Sequence, residues 1–347
     1  MTEVTMALRH MGGTLKRIDR VALTALGIIA ALALTVPAQA GASLSFTLGA
    51  LTSIAPFLTF SVVIAATAKA TGADRQIANV FKGRQAIMIT AAASFGALSP
   101  FCSCGVIPIV AGLLAAGVPV APVMAFWISS PLMSPEMFIL TIAVFDLPFA
   151  TARALAAIFM GLGAGFATQV LARRPAFAQP LKAGRGGAGS CQTPALAPPS
   201  GTVWAFWRQP ERRKIFRNEA LISGGFLFKW LTLAFIVESL MLAYLPTDTV
   251  SEWLGSDRWW VVPASVAVGV PAYPNGYAAI PTVAALVNMG MGLGAALAFM
   301  VAGGVTSIPA AMAVFALVKR PVFLWYLALG LAGSLIVGFA YQAFLGL

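Results

Sequence analysis

From Gln85 through Pro135, and again from Trp259 through Val318, the chain carries no Asp, Glu, Lys or Arg. Each tract is far longer than the roughly 20 apolar residues that take one helix across a bilayer, so each must enter the hydrocarbon more than once. A water-soluble fold is excluded. Composition agrees, because a chain of 347 residues that is 59% hydrophobic, 10% charged and has a mean hydropathy of +0.88 cannot hide its apolar surface from water. Gly (33) and Pro (22) recur inside the apolar tracts, which in a membrane marks close helix packing and interrupted helices. The net charge of +11 sits mostly in loops between apolar segments. The positive-inside rule explains it without any nucleic-acid partner. Three cysteines make no disulfide framework. An all-α polytopic membrane protein with the lipid bilayer as its solvent is expected.

At the N-terminus, Arg9, Lys16, Arg17 and Arg20 precede an apolar run from Val21 to Val36. "PAQAGA" follows, with Ala38 and Ala40 in the small-x-small pattern that signal peptidase reads. Polytopic proteins usually keep such a segment as their first helix, and retention is expected here.

Laid on itself in one gapless register, the chain aligns Gly96 with Gly269, Ile107-Pro108 with Ile280-Pro281, and Ala125-Phe126 with Ala298-Phe299. Ser134 then meets Ser307, Pro148 meets Pro321, and "GFATQ" at 165–169 falls on "GFAYQ" at 338–342. This is an internal duplication, a common plan for secondary transporters. Charges at equivalent positions say how each copy faces. "KATGADRQIANVFKGR" carries Lys69, Arg75, Lys82 and Arg84, whereas its counterpart "PTDTVSEWLGSDR" carries Asp248, Glu252 and Asp257. The first loop belongs in the cytoplasm and the second outside. Asp146 and Leu147 likewise align with Lys319 and Arg320. The copies are therefore expected to be inverted, each crossing an odd number of times.

The resulting division is a basic N-terminal arm and first transmembrane helix at 1–46, repeat one at 47–171, a flexible cytoplasmic linker at 172–217, and inverted repeat two at 218–347. The N-terminus is expected in the cytoplasm and the C-terminus outside, in a bacterial inner membrane. Within repeat one, a helix near 53–68 is followed by a re-entrant hairpin at 86–117 and a crossing helix at 119–146 unwound at "SSPLMSP". Repeat two places "PAYPNGYA" (271–278) and "AGGVTSIP" (302–309) at the same depth. Broken backbone is tolerated there only beside protein or a hydrated cavity, and its free N–H and C=O groups serve a ligand.

The first hairpin tip reads "SPFCSCGVIP". A thiol is a soft donor, and Cys102 and Cys104, one residue apart around Ser103 and beside Pro100, are spaced to converge on one thiophilic atom. The alternative is two cysteines that merely pack as small hydrophobes. Repeat two has Asn275 and Tyr277 at these positions, so the dithiol is not needed to make the turn. Trivalent arsenic bearing one organic group has two further bonding positions, which two thiolates fill. Inorganic arsenite wants a third, and only Cys191, in the linker, remains.

"SPFCSCGVIPIVAGLLAAGVPVAPVMAFWISSPLMSPEMFILT" and "NGYAAIPTVAALVNMGMGLGAALAFMVAGGVTSIPA" resemble the two signature regions of the predicted permease family that includes YraQ and the trivalent organoarsenical efflux permease ArsP. The resemblance runs from about residue 50 onward, the linker excepted. It implies an inner-membrane permease, not an enzyme, with Cys102 and Cys104 as metalloid-contacting thiols.

Ser129, Ser130, Ser134, Thr306 and Ser307 are the polar lining candidates at the helix breaks, joined by Tyr273, Asn275 and Tyr277 at the second tip. Glu136 and Glu238 are carboxylates at costly depth and hence candidates for proton coupling; Glu136 equally reads as a first-turn residue favoured by the helix dipole. Arg153 and Asp146 read as structural charges at the outer interface. No nucleotide-binding loop is found and no cofactor is expected. The leading function is a proton-coupled secondary exporter of a metalloid compound, a trivalent organoarsenical. The alternatives are a permease for an unrelated small anion or organic solute, and a membrane thiol oxidoreductase.

Overall fold

The computed structural model describes residues 20–73, 83–99, 103, 105–172, 174–182, 203–244, 258–273 and 276–346. Their secondary structure is helical apart from one isolated bridge, Leu181 to Val318. An extra helix, α1 (Arg20–Thr35), precedes repeat one: α2 (Pro37–Thr71), α3 (Gln85–Leu98), α4 (Val106–Ala115), α5 (Val120–Ser129), α6 (Pro135–Val144) and α7 (Leu147–Leu171). Repeat two is α8 (Pro210–Tyr244), α9 (Val261–Ala272), α10 (Gly276–Asn288), α11 (Leu293–Thr306), α12 (Ile308–Leu317) and α13 (Arg320–Phe344). The register that aligns the sequences carries α2 onto α8, α6 onto α12 and α7 onto α13, end to end. Among the described residues, four helical stretches are long and apolar enough to span a bilayer: Leu147–Leu171, Pro210–Leu240, Leu293–Leu317 and Arg320–Phe344. A further candidate, α2, bends by 45° at Pro56, where proline removes a hydrogen bond from the helix ladder.

Equivalent helices run antiparallel. Lys69 at the end of α2 pairs with Glu219 near the start of α8, whereas Ser43 near the start of α2 accepts from Ser239 near the end of α8 at 2.8 Å. Trp325 at the start of α13 donates to Thr168 at the end of α7 at 2.9 Å, and Phe149 stacks edge-on to Tyr341 at the opposite ends. The copies are inverted relative to one another. The cross-contacts are reciprocal: α6 meets α10, and α12 meets α4. The repeats are not identical in their contacts, since α2 lies against α4 whereas α8 lies against α12.

The shared residues prove to be the packing elements. A Cβ on Gly96 would sit 2.9 Å from the Phe126 carbonyl oxygen, and one on Gly269 would sit 2.8 Å from that of Phe299. Gly165 and Gly338, the first residues of the two G-F-A-x-Q stretches, similarly receive Ala125 and Ala298. The common Ala-Phe pair is thus clasped between two glycines in each copy, which lets backbones approach as membrane helices require. Gly117 (φ 88) and Gly290 (φ 105) end α4 and α10 in the left-handed region.

Two boundaries differ from expectation. Repeat one does not begin near residue 47, because "PAQAGA" forms the first turns of α2. Pro37 is pre-set for a first helical turn, and the small residues that follow let Ser43 and Thr47 be buried. The linker does not extend to residue 217 either, since α8 starts at Pro210. Arg212, fully buried, donates to the carbonyls of Ala70 (2.9 Å) and Thr71 (3.0 Å), closing two orphan acceptors at the end of α2. The other end of the linker is also docked: Lys182 N–H donates to Leu317 and Lys319 N–H to Pro180. Residues 183–202 lie outside the described residues.

Candidate functional site

The helix breaks expected within 86–117 and 119–146 are present, dividing these stretches into α3 and α4 and into α5 and α6. Apolar sequence makes the helices, and proline or serine ends them. Pro119 and Ser134 are the N-caps of α5 and α6, with the Ser134 hydroxyl accepting from Met137 N–H. In repeat two the second break is narrower than expected. Ser307 alone separates α11 from α12, rather than the whole of 302–309.

The breaks converge. Ser99, at the end of α3, shares a 2.8 Å hydrogen bond with Ser130, both buried. Across the pseudo-twofold, Tyr273 at the end of α9 lies against Gly303 so closely that a Cβ there would overlap its ring. The two systems meet at Gly304, where an added Cβ would touch the Pro131 carbonyl, a Leu132 methyl and the Tyr273 hydroxyl. Tyr326, on α13, donates to the Val305 carbonyl and packs on Trp127 with ring centroids 5.1 Å apart.

Of the expected lining residues, Ser129, Ser130, Ser134, Thr306, Ser307 and Tyr273 are buried at these junctions. Several are turned inward to backbone: Ser129 donates to Ala125 and Thr306 to Ala302. Ser103 is a half-buried turn residue, and Tyr277 stands in the first turn of α10. Pro100, Cys102, Cys104 and Asn275 lie outside the described residues. Their segments leave and rejoin the described chain at buried positions, Ser99 and Gly105 for the dithiol and Tyr273 for the second tip.

The two carboxylates part company. Glu136 is exposed in the first turn of α6 and takes no part in the buried cluster. The helix-dipole reading accounts for it. Glu238 is 2% exposed, and neither carboxylate oxygen has a hydrogen-bond partner among the described residues. A cleft of about 140 Å³ opens between α2 and α4, walled by Ala65, Ala68, Pro108 and Gly112, with the Lys69–Glu219 pair at its polar end.

Arg153 corrects the sequence reading. It is enclosed by protein and not a surface charge: its exposure is 0%, and Nη1 donates to Thr141 Oγ1 at 3.2 Å while Nη2 points to Met137 Sδ at 3.9 Å. The Tyr273 phenol lies beside it. Asp146 caps α7, accepting from Phe149 N–H at 2.7 Å. The available signal was depth. Arg153 stands about 9 Å along α7 from its start, in a helix with no other cation, and a charge inside a span marks a functional candidate.

Comparison with known proteins is decided by extent: the ArsP_1 profile, described as a predicted permease, matches residues 39–343. The chain belongs to this predicted permease family. The UPF0718 protein YcgR of Bacillus subtilis (strain 168) is 29% identical over 90 residues, a match covering 26% of this chain and 31% of that relative. No solved structure matches the chain. The chain is therefore a multi-pass membrane protein of a predicted permease family, and the converging breaks are its candidate substrate site.

Proposed function

We propose that the permease exports a trivalent organoarsenical across the bacterial inner membrane in exchange for protons, with Cys102 and Cys104 as the metalloid ligands. The reading is supported by one observation above the others. The segment that carries the dithiol departs from Ser99, which is buried and bonded to Ser130 of the second break. Soft thiolates favour trivalent arsenic over the hard solutes that hydroxyls and carbonyls suit. Binding replaces two As–O bonds by two As–S bonds and releases two waters, with no change of oxidation state; release on the far side reverses the exchange. The basic loops mark the cytoplasmic end, which leaves the C-terminus outside.

In an arsenic-sensitive host, Cys102→Ser/Cys104→Ser is expected to reduce tolerance of phenylarsine oxide to that of cells without the permease, at unchanged membrane abundance. Tolerance equal to the parent's rejects the thiol mechanism. Glu238 is the carboxylate assigned to proton coupling, because it is buried and has no hydrogen-bond partner among the described residues. In everted vesicles, Glu238→Gln is expected to leave arsenical uptake but to abolish its acceleration by an imposed pH gradient. An undiminished response to the gradient removes Glu238 from the coupling mechanism.

A further inference from the structure

The guanidinium of Arg153 is wholly buried, and its Nε donor has no partner among the described residues. Beside it lies the Tyr273 hydroxyl, on a residue only 4% exposed, near enough to interact with the guanidinium but making no hydrogen bond of ordinary geometry among the described residues. The Thr141 hydroxyl has already given its proton to the Met137 carbonyl at 2.6 Å, so it serves Arg153 only as an acceptor. Among the described residues the one ion pair is Lys69 with Glu219, and no carboxylate reaches Arg153. Taking an unpaired charge out of water costs several kcal/mol. The cluster is rich in donors and short of one thing, an acceptor bearing negative charge.

Its position is that of the transport site. Tyr273 is the last described residue before the second tip, seated by Gly303, and its hydroxyl is beside Gly304 where the two repeats' breaks meet. The aligned register places Arg153 opposite Tyr326, whose hydroxyl donates to Val305 at the second break. Both copies thus direct this position of the last helix inward, and a neutral phenol suffices for packing in one of them. The charge in repeat one is not required to close the bundle.

We propose that Arg153 and Tyr273 form a subsite for an anionic oxygen group, a carboxylate, sulfonate or phosphate, borne by the transported solute. Arginine is suited to such groups because its planar fork matches two oxygens of one anion, and the phenol O–H supplies a further donor. The subsite does not depend on the thiols.

The test is thermal unfolding of the purified full-length permease titrated with benzoate, methanesulfonate and inorganic phosphate. At least one of them is expected to raise the wild-type midpoint saturably, by about 2 °C or more, and the effective anion identifies the group. The shift is expected to vanish in Arg153→Met, to need at least about tenfold more anion in Arg153→Lys and Tyr273→Phe, and to persist in Cys102→Ser/Cys104→Ser. That last variant separates the outcome from failure of the arsenical reading. Without anion, Arg153→Met is expected to unfold at or above the wild-type temperature, because an uncompensated charge has been removed. An arginine with a purely structural role would instead lower the midpoint equally with and without anion. The proposal is overturned by that result, by no shift in wild type with any of the three anions, or by unchanged affinity in Arg153→Lys and Tyr273→Phe.

Discussion

Gly96→Val and Gly269→Val are each expected to cost about 3 kcal/mol, at the upper end of what overpacking does, and to leave little folded protein in the membrane. The reason is what the new side chain meets. At both positions the nearest fixed neighbour is a backbone carbonyl, of Phe126 and of Phe299, at 2.9 and 2.8 Å from the first side-chain carbon. A flexible side chain could swing aside; a carbonyl inside a helix cannot, so α3 must separate from α5, or α9 from α11. The two variants should behave alike, since the register makes them the same site in two copies. Gly163→Ala is the control. Nothing lies within 4 Å of a Cβ there, and exchanging a helical glycine for alanine gains about 0.5–1 kcal/mol. Thermal midpoints in detergent and the yield of monodisperse protein measure all three. A Gly96→Val protein as stable as its parent would contradict the close α3–α5 crossing.

Removing Lys69 is expected to be far more damaging than removing its partner. Glu219 is 6% exposed, held by Lys69 at 2.6 Å and by the Ser223 hydroxyl at 3.2 Å, whereas the lysine side chain is 30% exposed. Lys69→Met strands a carboxylate in the interior, a change that typically costs about 3–5 kcal/mol. Glu219→Gln leaves an ammonium that reaches water along its own stem, and the loss should be within about 1 kcal/mol. The difference between the two midpoints is the measurement. Equal destabilisation would mean that the pair is hydrated and that the cleft between α2 and α4 is wetter than its apolar walls indicate. Because the pair joins the end of α2 to the start of α8, the Lys69→Met protein should also show increased hydrogen exchange at both helix ends.

Much of the scaffold is legible in the residues alone, because the relevant signals are local. Two charge-free tracts force repeated entry into the hydrocarbon, and Pro119, Ser134 and the serines around Pro131 stop helices wherever they fold. The reversal of charge between equivalent loops predicts inversion, which the antiparallel pairs α2 with α8 and α7 with α13 display. The start of repeat one is less legible, for a local reason too. Small residues after an apolar run do not announce the start of a packed helix, and the burial of Ser43 against Ser239 shows them to be a helix contact.

The chemistry of the interior was only half legible. The Cys-Ser-Cys motif announces itself by composition and spacing, whereas Arg153 reads as a helix-end charge close to Asp146. Nothing local connects it with Tyr273, which belongs to the other repeat. The same holds for Lys69 with Glu219 and for Arg212 with the last carbonyls of α2. The sequence by itself determined that the chain lives in a membrane, is duplicated and inverted, and breaks its helices at four places. Which groups those breaks bring together was decided by the tertiary structure, because antiparallel docking of two copies sets the end of each element against the beginning of its counterpart. Contacts of that kind are fixed by three-dimensional packing and have no periodicity along the chain.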